Sequence, residues 1–219
     1  MRKQALVIGL GRFGMSLIRA LSERGVEVLA IDRNSERVRL ASDLVADAVC
    51  LDAADESALS RVSPADRDFA VCAIGDAARD SSILCTALLR QLGAPRVVSR
   101  ASDPLHARIL ALVGAHEVVD PIADFGRRLA DRLVYERLVG EMMLGDELVI
   151  VELRPPNAFV GRTLNELALR ARFRVNVVAI RRQPEPSVVL PGPDERIRSE
   201  DILVVVGPPG AATRFLEQE

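Results

Sequence analysis

The sequence predicts an α/β protein: a Rossmann-like doubly wound parallel sheet followed by a second, small α+β domain. Three observations carry this prediction. Short β-branched runs alternate with helix-period segments along residues 5–119, the strand runs are apolar on both faces, and glycines stand where helices should end. Strands that are apolar on both faces are typical of a parallel sheet covered by helices through right-handed crossovers.

Six strands are predicted in the first domain, each bounded by Gly, Asp or Pro. They are Ala5–Gly9, Glu27–Ile31, Ala48–Leu51, Phe69–Ile74, Arg96–Ser99 and Glu117–Val119. The intervening helices are Phe13–Arg24, Ser35–Leu44, Glu56–Val62, Asp80–Leu92 and Leu105–Val113. Gly25, Gly93 and Gly114 follow three of these helices, at the position where a positive φ closes the last turn.

A longer helix is predicted over Asp124–Met143, where apolar residues recur at three- and four-residue spacings. The first domain offers no obvious core surface that could cover the apolar face of this helix, so the protein is expected to form at least a dimer. The second domain is predicted from the strands Leu148–Leu153, Val175–Ile180, Ser187–Leu190 and Ile202–Val206, with helices near Leu164–Ala171 and Ala211–Leu216. The predicted domains are residues 1–138 and 139–219.

Composition excludes several classes of protein. Of the 219 residues 49% are hydrophobic and 27% charged, which is a globular composition. The net charge of −2 offers no cationic surplus for a nucleic-acid backbone, so no nucleic-acid partner is expected. Cys50, Cys72 and Cys85 show no metal or redox spacing and suit a reducing, cytoplasmic location. No apolar run is long enough to cross a membrane.

The clearest motif is a glycine-rich turn after the first strand, Gly9-Leu10-Gly11-Arg12-Phe13-Gly14. It follows a predicted strand and opens a predicted helix, which is the context that a dinucleotide-binding GxGxxG motif requires. Gly9 permits a tight turn, Gly11 lets the backbone approach a diphosphate, and Gly14 permits close helix packing. Arg12 stands in the first helical turn, where a guanidinium can bind a phosphate.

Acidic residues follow the next strands at the same edge of the predicted sheet. Asp32 ends the second strand, where a carboxylate can bind both ribose hydroxyls and would repel a 2′-phosphate, although Arg33 could soften that repulsion. Asp52 ends the third strand, and the fourth ends in Ala73-Ile74-Gly75-Asp76. Open α/β sheets bind ligands at these carboxyl ends. Asp52 could equally cap a turn.

Catalytic residues are not predicted, and no metal-ligand spacing is present. His106 and His116 are the only imidazoles, and the tail from Gly145 contains neither His nor Cys. A dehydrogenase needs an acid or base beside its cofactor. A non-enzymatic nucleotide-binding protein is therefore favoured, with an NAD-dependent oxidoreductase as the alternative and a redox-sensing repressor as a third hypothesis.

The sequence from Val7 to Gly14, with Ile31–Asn34, Ala73–Gly75 and Val113–Ala115, resembles the RCK domain of regulatory subunits of Trk- and Ktr-type potassium uptake systems. Val160–Leu164, Phe173–Ile180 and Ser199–Leu203 resemble the small C-terminal domain of the same subunits. Together these segments extend the resemblance over nearly the whole chain.

The resemblance implies a nucleotide site and assigns residues to it. It implies that Arg12 contacts phosphates, together with Gly9, Gly11, Phe13 and Gly14 of the loop. It further implies Asp32, Arg33 and Asn34 at the ribose and adenine, Asp52 and Ala53 at the base, Ala73, Ile74, Gly75 and Asp76 at the diphosphate, and Arg100 and His106 within reach of the nucleotide.

The implied function is a nucleotide-sensing regulatory subunit that gates a potassium channel or transporter. Its implied ligands are ATP and ADP, with NAD(H) in some members. The implied assembly is a homodimer that forms an octameric ring on a membrane potassium-translocating subunit, peripheral to the inner face of the cell membrane. Arg12 would then sense whether a terminal phosphate is present.

Two departures from the family pattern bear on other ligands. Relatives often carry Pro-Glu where this chain has Pro121-Ile122, and isoleucine cannot ligate the divalent cation that the Glu helps hold. Some C-terminal domains bind cyclic di-AMP with an aliphatic pair ahead of an Asn. This chain keeps Asn176 and Val178 but has Leu164-Asn165 as the pair, so cyclic di-AMP is a possible ligand only.

Overall fold

The computed structural model describes residues 2–145, 147–182 and 187–211. They fall into two compact units, Met1–Ala123 and Asp124–Glu219. The predicted domain division at 138/139 lies fifteen residues after this one, because the helix that begins at Pro121 groups with the second unit from Asp124 onward.

The first unit is a six-stranded parallel sheet covered by helices. Its strands are β1 Gln4–Ile8, β2 Glu27–Asp32, β3 Asp47–Cys50, β4 Phe69–Cys72, β5 Val97–Arg100 and β6 Glu117–Val119, and its helices are α1 Arg12–Glu23, α2 Ser35–Ser42, α3 Glu56–Ser60, α4 Arg79–Gln91 and α5 Pro104–Leu112. The strand order is β3-β2-β1-β4-β5-β6, and every pairing is parallel. The predicted doubly wound sheet is therefore confirmed.

Two apolar layers lie on the two faces of this sheet. One contains Leu6, Ile8 and Ile31 with residues of α3 and α4, and the other contains Val7 and Ala30 with residues of α1 and α2. Successive residues of a strand point to opposite faces, so a strand that is buried on both sides must be apolar throughout. Strands β1 to β3 are added toward one edge of the sheet and β4 to β6 toward the other, so the strand order reverses between β1 and β4. In such sheets a crevice opens at this point, at the carboxyl ends of the strands.

The second unit contains a five-stranded antiparallel sheet. Its elements are α6 Pro121–Val134, β7 Leu138–Leu144, β8 Leu148–Leu153, α7 Leu164–Leu167, α8 Leu169–Phe173, β9 Asn176–Arg182, β10 Ser187–Val189 and β11 Ile202–Gly207, with β10-β9-β11-β8-β7 as the strand order. Its core includes Leu153, Phe159, Leu167 and Ile180. The predicted small α+β domain is confirmed. Of the predicted helix near Ala211–Leu216, residues 212–216 lie outside the described residues.

The helix predicted over Asp124–Met143 is wrong beyond Val134. Residues 138–144 form β7, which pairs antiparallel with β8. The turn after β7 includes Gly145, which adopts φ +67°. Leu, Glu and Met favour helices locally, but pairing with a buried strand outweighs that preference. The helix predicted near Leu164–Ala171 is likewise divided, because Ala168 adopts a left-handed conformation at φ +47° between α7 and α8.

Candidate functional site

The first unit has a cleft of about 280 Å³ at the carboxyl ends of its strands, beside the point where the strand order reverses. Ligands of open α/β sheets bind at this position. Eleven of the residues predicted from the sequence line it: Gly9, Gly11, Asp32, Arg33, Asp52, Ala53, Ala73, Ile74, Gly75, Asp76 and Arg100. Residues that sequence reasoning missed also line it: Ile8, Arg37, Leu51, Ala77, Ala78 and Ser81.

The three glycines of the loop have three different structural roles. Gly9 adopts φ +95°, and a Cβ there would lie 2.7 Å from the backbone nitrogen of Ile74, two residues after β4. A Cβ on Gly14 would lie 1.9 Å from the Gly9 carbonyl oxygen, so Gly14 brings α1 against the loop. A Cβ on Gly11 would meet no atom within 4 Å. Gly11 therefore faces open space in the cleft, where a bound group can approach the backbone.

Asp32 is buried, and backbone donors fix both of its carboxylate oxygens. Its Oδ2 accepts from the Leu10 N–H at 2.7 Å, and its Oδ1 accepts from the Asn34 N–H at 2.8 Å. Each carboxylate oxygen can accept two hydrogen bonds, so acceptor capacity remains toward the cleft. The geometry suits two adjacent ribose hydroxyls. Arg37 Nη1 lies 3.5 Å from Oδ2, and this exposed guanidinium partly balances the charge of Asp32.

Arg100 and Asp76 form the other wall of the cleft. The Arg100 guanidinium carbon lies 5.9 Å from the centroid of the Phe13 ring, and its Nη2 lies 3.5 Å from Asp76 Oδ1. Phe13 does not line the cleft itself, and its half-buried ring supports Arg100 from behind. The long contact with Asp76 leaves Arg100 able to donate hydrogen bonds to an anion.

The other predicted residues occupy positions beside the cleft. Arg12 is exposed at the first residue of α1, and the buried Gly14 lies within that helix. The Asn34 side-chain oxygen accepts from the Glu36 and Arg37 N–H groups at 2.9 and 3.1 Å, so Asn34 caps α2. This cap fixes the start of the helix that presents Arg37 to the cleft.

His106 lies below the surface behind the cleft wall, with 1% of its area exposed. Its ring nitrogens bond to protein groups: Nε2 lies 2.8 Å from Ser82 Oγ, and Nδ1 lies 3.0 Å from Ser102 Oγ. The cleft-lining residues do not include it. Burial and the positive charge of Arg79 lower the pKa of His106 below its ordinary value of 6.5.

The cleft offers charges and donors suited to an anionic ligand with hydroxyl groups. Its lining carries three carboxylates, Asp32, Asp52 and Asp76, and three guanidinium groups, Arg33, Arg37 and Arg100. Asp52 Oδ1 accepts from the Ala54 N–H at 3.0 Å, which is the turn-capping role left open by the sequence. Apolar Ile8, Leu51 and Ile74 supply surface for a flat ring. Such a lining suits a nucleotide.

Four nucleophilic or basic side chains, Cys72, Ser82, Cys85 and His106, are buried and do not line this cleft. Ser82 and His106 form a hydrogen-bonded pair, but neither Ser82 nor the thiols of Cys72 and Cys85 have any exposed area. Among residues 2–145, 147–182 and 187–211, no group of three His, Cys, Asp or Glu side chains is arranged to hold a metal ion. No helix within these ranges is long and apolar enough to cross a membrane.

Family models match both units of the chain. The TrkA-N domain model matches residues 5–121, and the TrkA-C domain model matches residues 148–218. The first match covers the cleft and the parallel sheet from Ala5 onward, and the second covers the antiparallel sheet from β8 onward.

Two potassium uptake proteins of the Ktr system match this chain along nearly their full length. Ktr system potassium uptake protein C of Bacillus subtilis is 37% identical over 215 residues, covering 98% of this chain and 96% of that protein. Ktr system potassium uptake protein A of Vibrio alginolyticus is 34% identical, with 94% and 93% covered. These matches confirm the resemblance to Ktr-type subunits.

Solved structures show the same fold. The match to the GsuK RCK domain covers 100% of this chain and 48% of the GsuK chain, with a TM-score of 0.64 at 20% identity. The match to a GsuK channel bound to NAD covers 100% of this chain and 40% of the channel chain, with a TM-score of 0.66 at 18% identity. This chain therefore spans less than half the length of each of these GsuK chains. The matches to the sequence models and relatives place the chain in the family of proteins that join a TrkA-N domain to a TrkA-C domain.

Proposed function

We propose that this protein is a non-enzymatic regulatory subunit that binds adenine nucleotides and thereby controls a membrane protein that transports potassium. The observation that carries the proposal is the cleft where β1 and β4 diverge: the glycine loop forms one side, and Asp32 lies beside it with both oxygens fixed. A relative described as a potassium uptake protein of the Ktr system, with 37% identity, supports the transport role.

The ligand is proposed to be ATP or ADP, with NAD(H) as the second choice. The loop amides at the start of α1 suit a diphosphate, Asp32 suits an unmodified ribose, and Arg100 suits a phosphate oxygen. Two solved structures with a related fold contain such ligands: one is a GsuK channel bound to NAD, and the other is GsuK bound to ADP. Arg12, exposed at the start of the same helix, is proposed to contact the terminal phosphate.

The assembly is proposed to be a homodimer that forms an octameric ring on the cytoplasmic face of its membrane partner. Exposed apolar side chains on α6 support a contact between subunits, since Phe125, Leu133 and Val134 are each more than 60% exposed. Regulation then requires only that two conformations of the ring bind two nucleotides with different affinities.

Purified protein should bind adenine nucleotides without consuming them. We expect ATP and ADP each to raise the unfolding temperature, and a ligand at 100 times its Kd stabilises by about 2.7 kcal/mol. Calorimetry with ATP, ADP, NAD, NADH, NADPH and cyclic di-AMP ranks the ligands, and NADPH should bind more weakly than NADH because Asp32 faces the ribose. Hydride transfer or nucleotide hydrolysis by the pure protein would contradict the non-enzymatic role, and hydride transfer would favour the oxidoreductase alternative.

Arg37 should contribute to nucleotide affinity although the motif does not contain it. Arg37→Ala is expected to weaken ADP binding by about twofold to fivefold, the upper part of the range for an exposed charge beside an anion. Arg39→Ala is the matched control, since Arg39 lies on the same helix but does not line the cleft. Equal affinities of the two variants, measured by calorimetry at one salt concentration, would exclude Arg37 from the site.

A further inference from the structure

His106 joins the two segments that form one wall of the cleft. Nε2 lies 2.8 Å from Ser82 Oγ in the second turn of α4, and Nδ1 lies 3.3 Å from the backbone nitrogen of Ser102. Ser82 directly follows the cleft residue Ser81, and Ser102 is two residues beyond the cleft residue Arg100. The ring therefore bridges α4 and the segment after β5 without lining the cleft.

The hydrogen bonds around the ring require one protonation state. The Ser102 N–H donates to Nδ1, so Nδ1 carries no proton. Ser82 Oγ donates its hydrogen to the Arg79 carbonyl at 2.8 Å, so it must accept from Nε2–H. The neutral imidazole with its proton on Nε2 satisfies both of these bonds, and the Ser102 hydroxyl, 3.0 Å from Nδ1, can then donate to Nδ1 as well. A second proton at Nδ1 would oppose the Ser102 N–H and leave the hydroxyl oxygen as its acceptor.

The charged groups near His106 come from three segments. Arg79 lies at the start of α4 and pairs with Asp103 at 2.7 Å, Asp103 caps α5, and Asp76 lies in the short 3-10 turn before α4. Burial and Arg79 lower the pKa of His106, while the charges of Asp103 and Asp76 act in the opposite direction. The backbone N–H of His106 donates to Asp103 Oδ1 at 2.9 Å, and this bond lowers the pKa of Asp103.

We propose that His106 is a positioning residue of the nucleotide site, which in its neutral form holds the start of α4 and the segment carrying Arg100 at the spacing that the nucleotide needs. This inference rests on the proposed nucleotide-binding function. It differs from a direct contact, because His106 acts through Ser82 and Ser102.

Acid should therefore weaken nucleotide binding through His106. Because the folded protein holds the neutral ring, its His106 pKa lies below the unfolded value of 6.5. Protons favour the state in which the bridge is broken, so the contribution of His106 is complete above pH 6.5 and is lost as the pH falls through the lowered pKa. Terminal phosphates titrate in the same range, so the wild-type profile must be compared with that of variants.

The test measures ADP and NAD affinity by calorimetry from about pH 5 to pH 8, the range that spans histidine titration. His106→Leu removes both bonds, and His106→Gln keeps an amide that can replace Nε2–H. We expect His106→Leu to bind at least about tenfold more weakly at neutral pH, because one buried hydrogen bond contributes up to about tenfold and two are lost. Its remaining pH dependence should be that of the ligand alone, and His106→Gln should fall between the two.

His116→Gln is the matched control, since it replaces the other histidine, which is exposed and bonds to Arg90 and Val97 away from the cleft. It should keep the wild-type affinity and pH profile. Equal affinity and an identical profile in wild type and His106→Leu would overturn the positioning role while leaving nucleotide binding intact. Absence of binding by the wild type at every pH would overturn the proposed function and this inference together.

Discussion

Replacing Gly14 with alanine is expected to destabilise the first unit by about 3 kcal/mol or more, the upper range for overpacking a rigid site. The added Cβ would lie 1.9 Å from the Gly9 carbonyl oxygen, a backbone atom that cannot rotate away. Relief requires α1 to move from the loop, which would also disturb the anchored amide of Leu10. Calorimetric unfolding should show a lower melting temperature for the first unit, with the second unit as internal reference.

Gly11→Ala is the matched control for this prediction, and its expected result is the reverse. Gly11 adopts φ −71°, which suits alanine, and its Cβ would meet no protein atom within 4 Å. Stability should change by less than about 1 kcal/mol. Nucleotide affinity should fall strongly, because the methyl group enters the space in which the diphosphate approaches the backbone. If Gly11→Ala keeps full affinity, the diphosphate does not bind at this loop.

Replacing Asp32 with alanine is expected to lower nucleotide affinity by about 100-fold and to destabilise the first unit. The carboxylate supplies the ribose acceptors, and charge-assisted hydrogen bonds contribute about 1.5–3 kcal/mol each. The same change orphans the N–H groups of Leu10 and Asn34, which now donate at 2.7 and 2.8 Å. Titration calorimetry gives the affinity, and thermal unfolding without ligand gives the stability.

Two further variants separate these effects. Asp32→Asn keeps the shape but only one acceptor oxygen, so its affinity and stability should lie between those of wild type and Asp32→Ala. Asp47→Ala removes an exposed carboxylate at the start of the neighbouring strand β3 and should change neither quantity. If Asp32→Ala keeps the wild-type affinity, Asp32 does not bind the ribose. The expected discrimination against a 2′-phosphate would then have no basis in this residue.

The first unit was predictable in detail because its signals are local. Each of its six strands contains adjacent apolar residues, and the glycines at 9 and 14 fit positions where a side chain would clash. The motif and the strand ends placed eleven of the predicted residues in one cleft, since parallel strands deliver their carboxyl ends to one edge.

Other features depended on partners far away in sequence. Residues 138–144 carry side chains at helical spacings, yet they pair with β8. The pattern of residues 148–153 predicted β8 itself, but nothing local to residues 138–144 indicated that they would pair with it. Arg37 reaches the cleft only because Asn34 caps α2 at the level of Asp32. The family resemblance implied that His106 is within reach of the nucleotide, whereas in the structure it is buried and does not line the cleft.

The sequence by itself determined the doubly wound sheet, the crevice where β1 and β4 diverge, and the loop and carboxylate that face it, because alternation, apolar strands and glycine positions are local properties of the chain. Only the tertiary structure decided where α6 ends, that Arg37 joins the cleft, and that both nitrogens of His106 are already bonded to Ser82 and Ser102. These outcomes depend on long-range pairing and on which buried donors find acceptors, and both are settled only when the folded chain brings distant residues together.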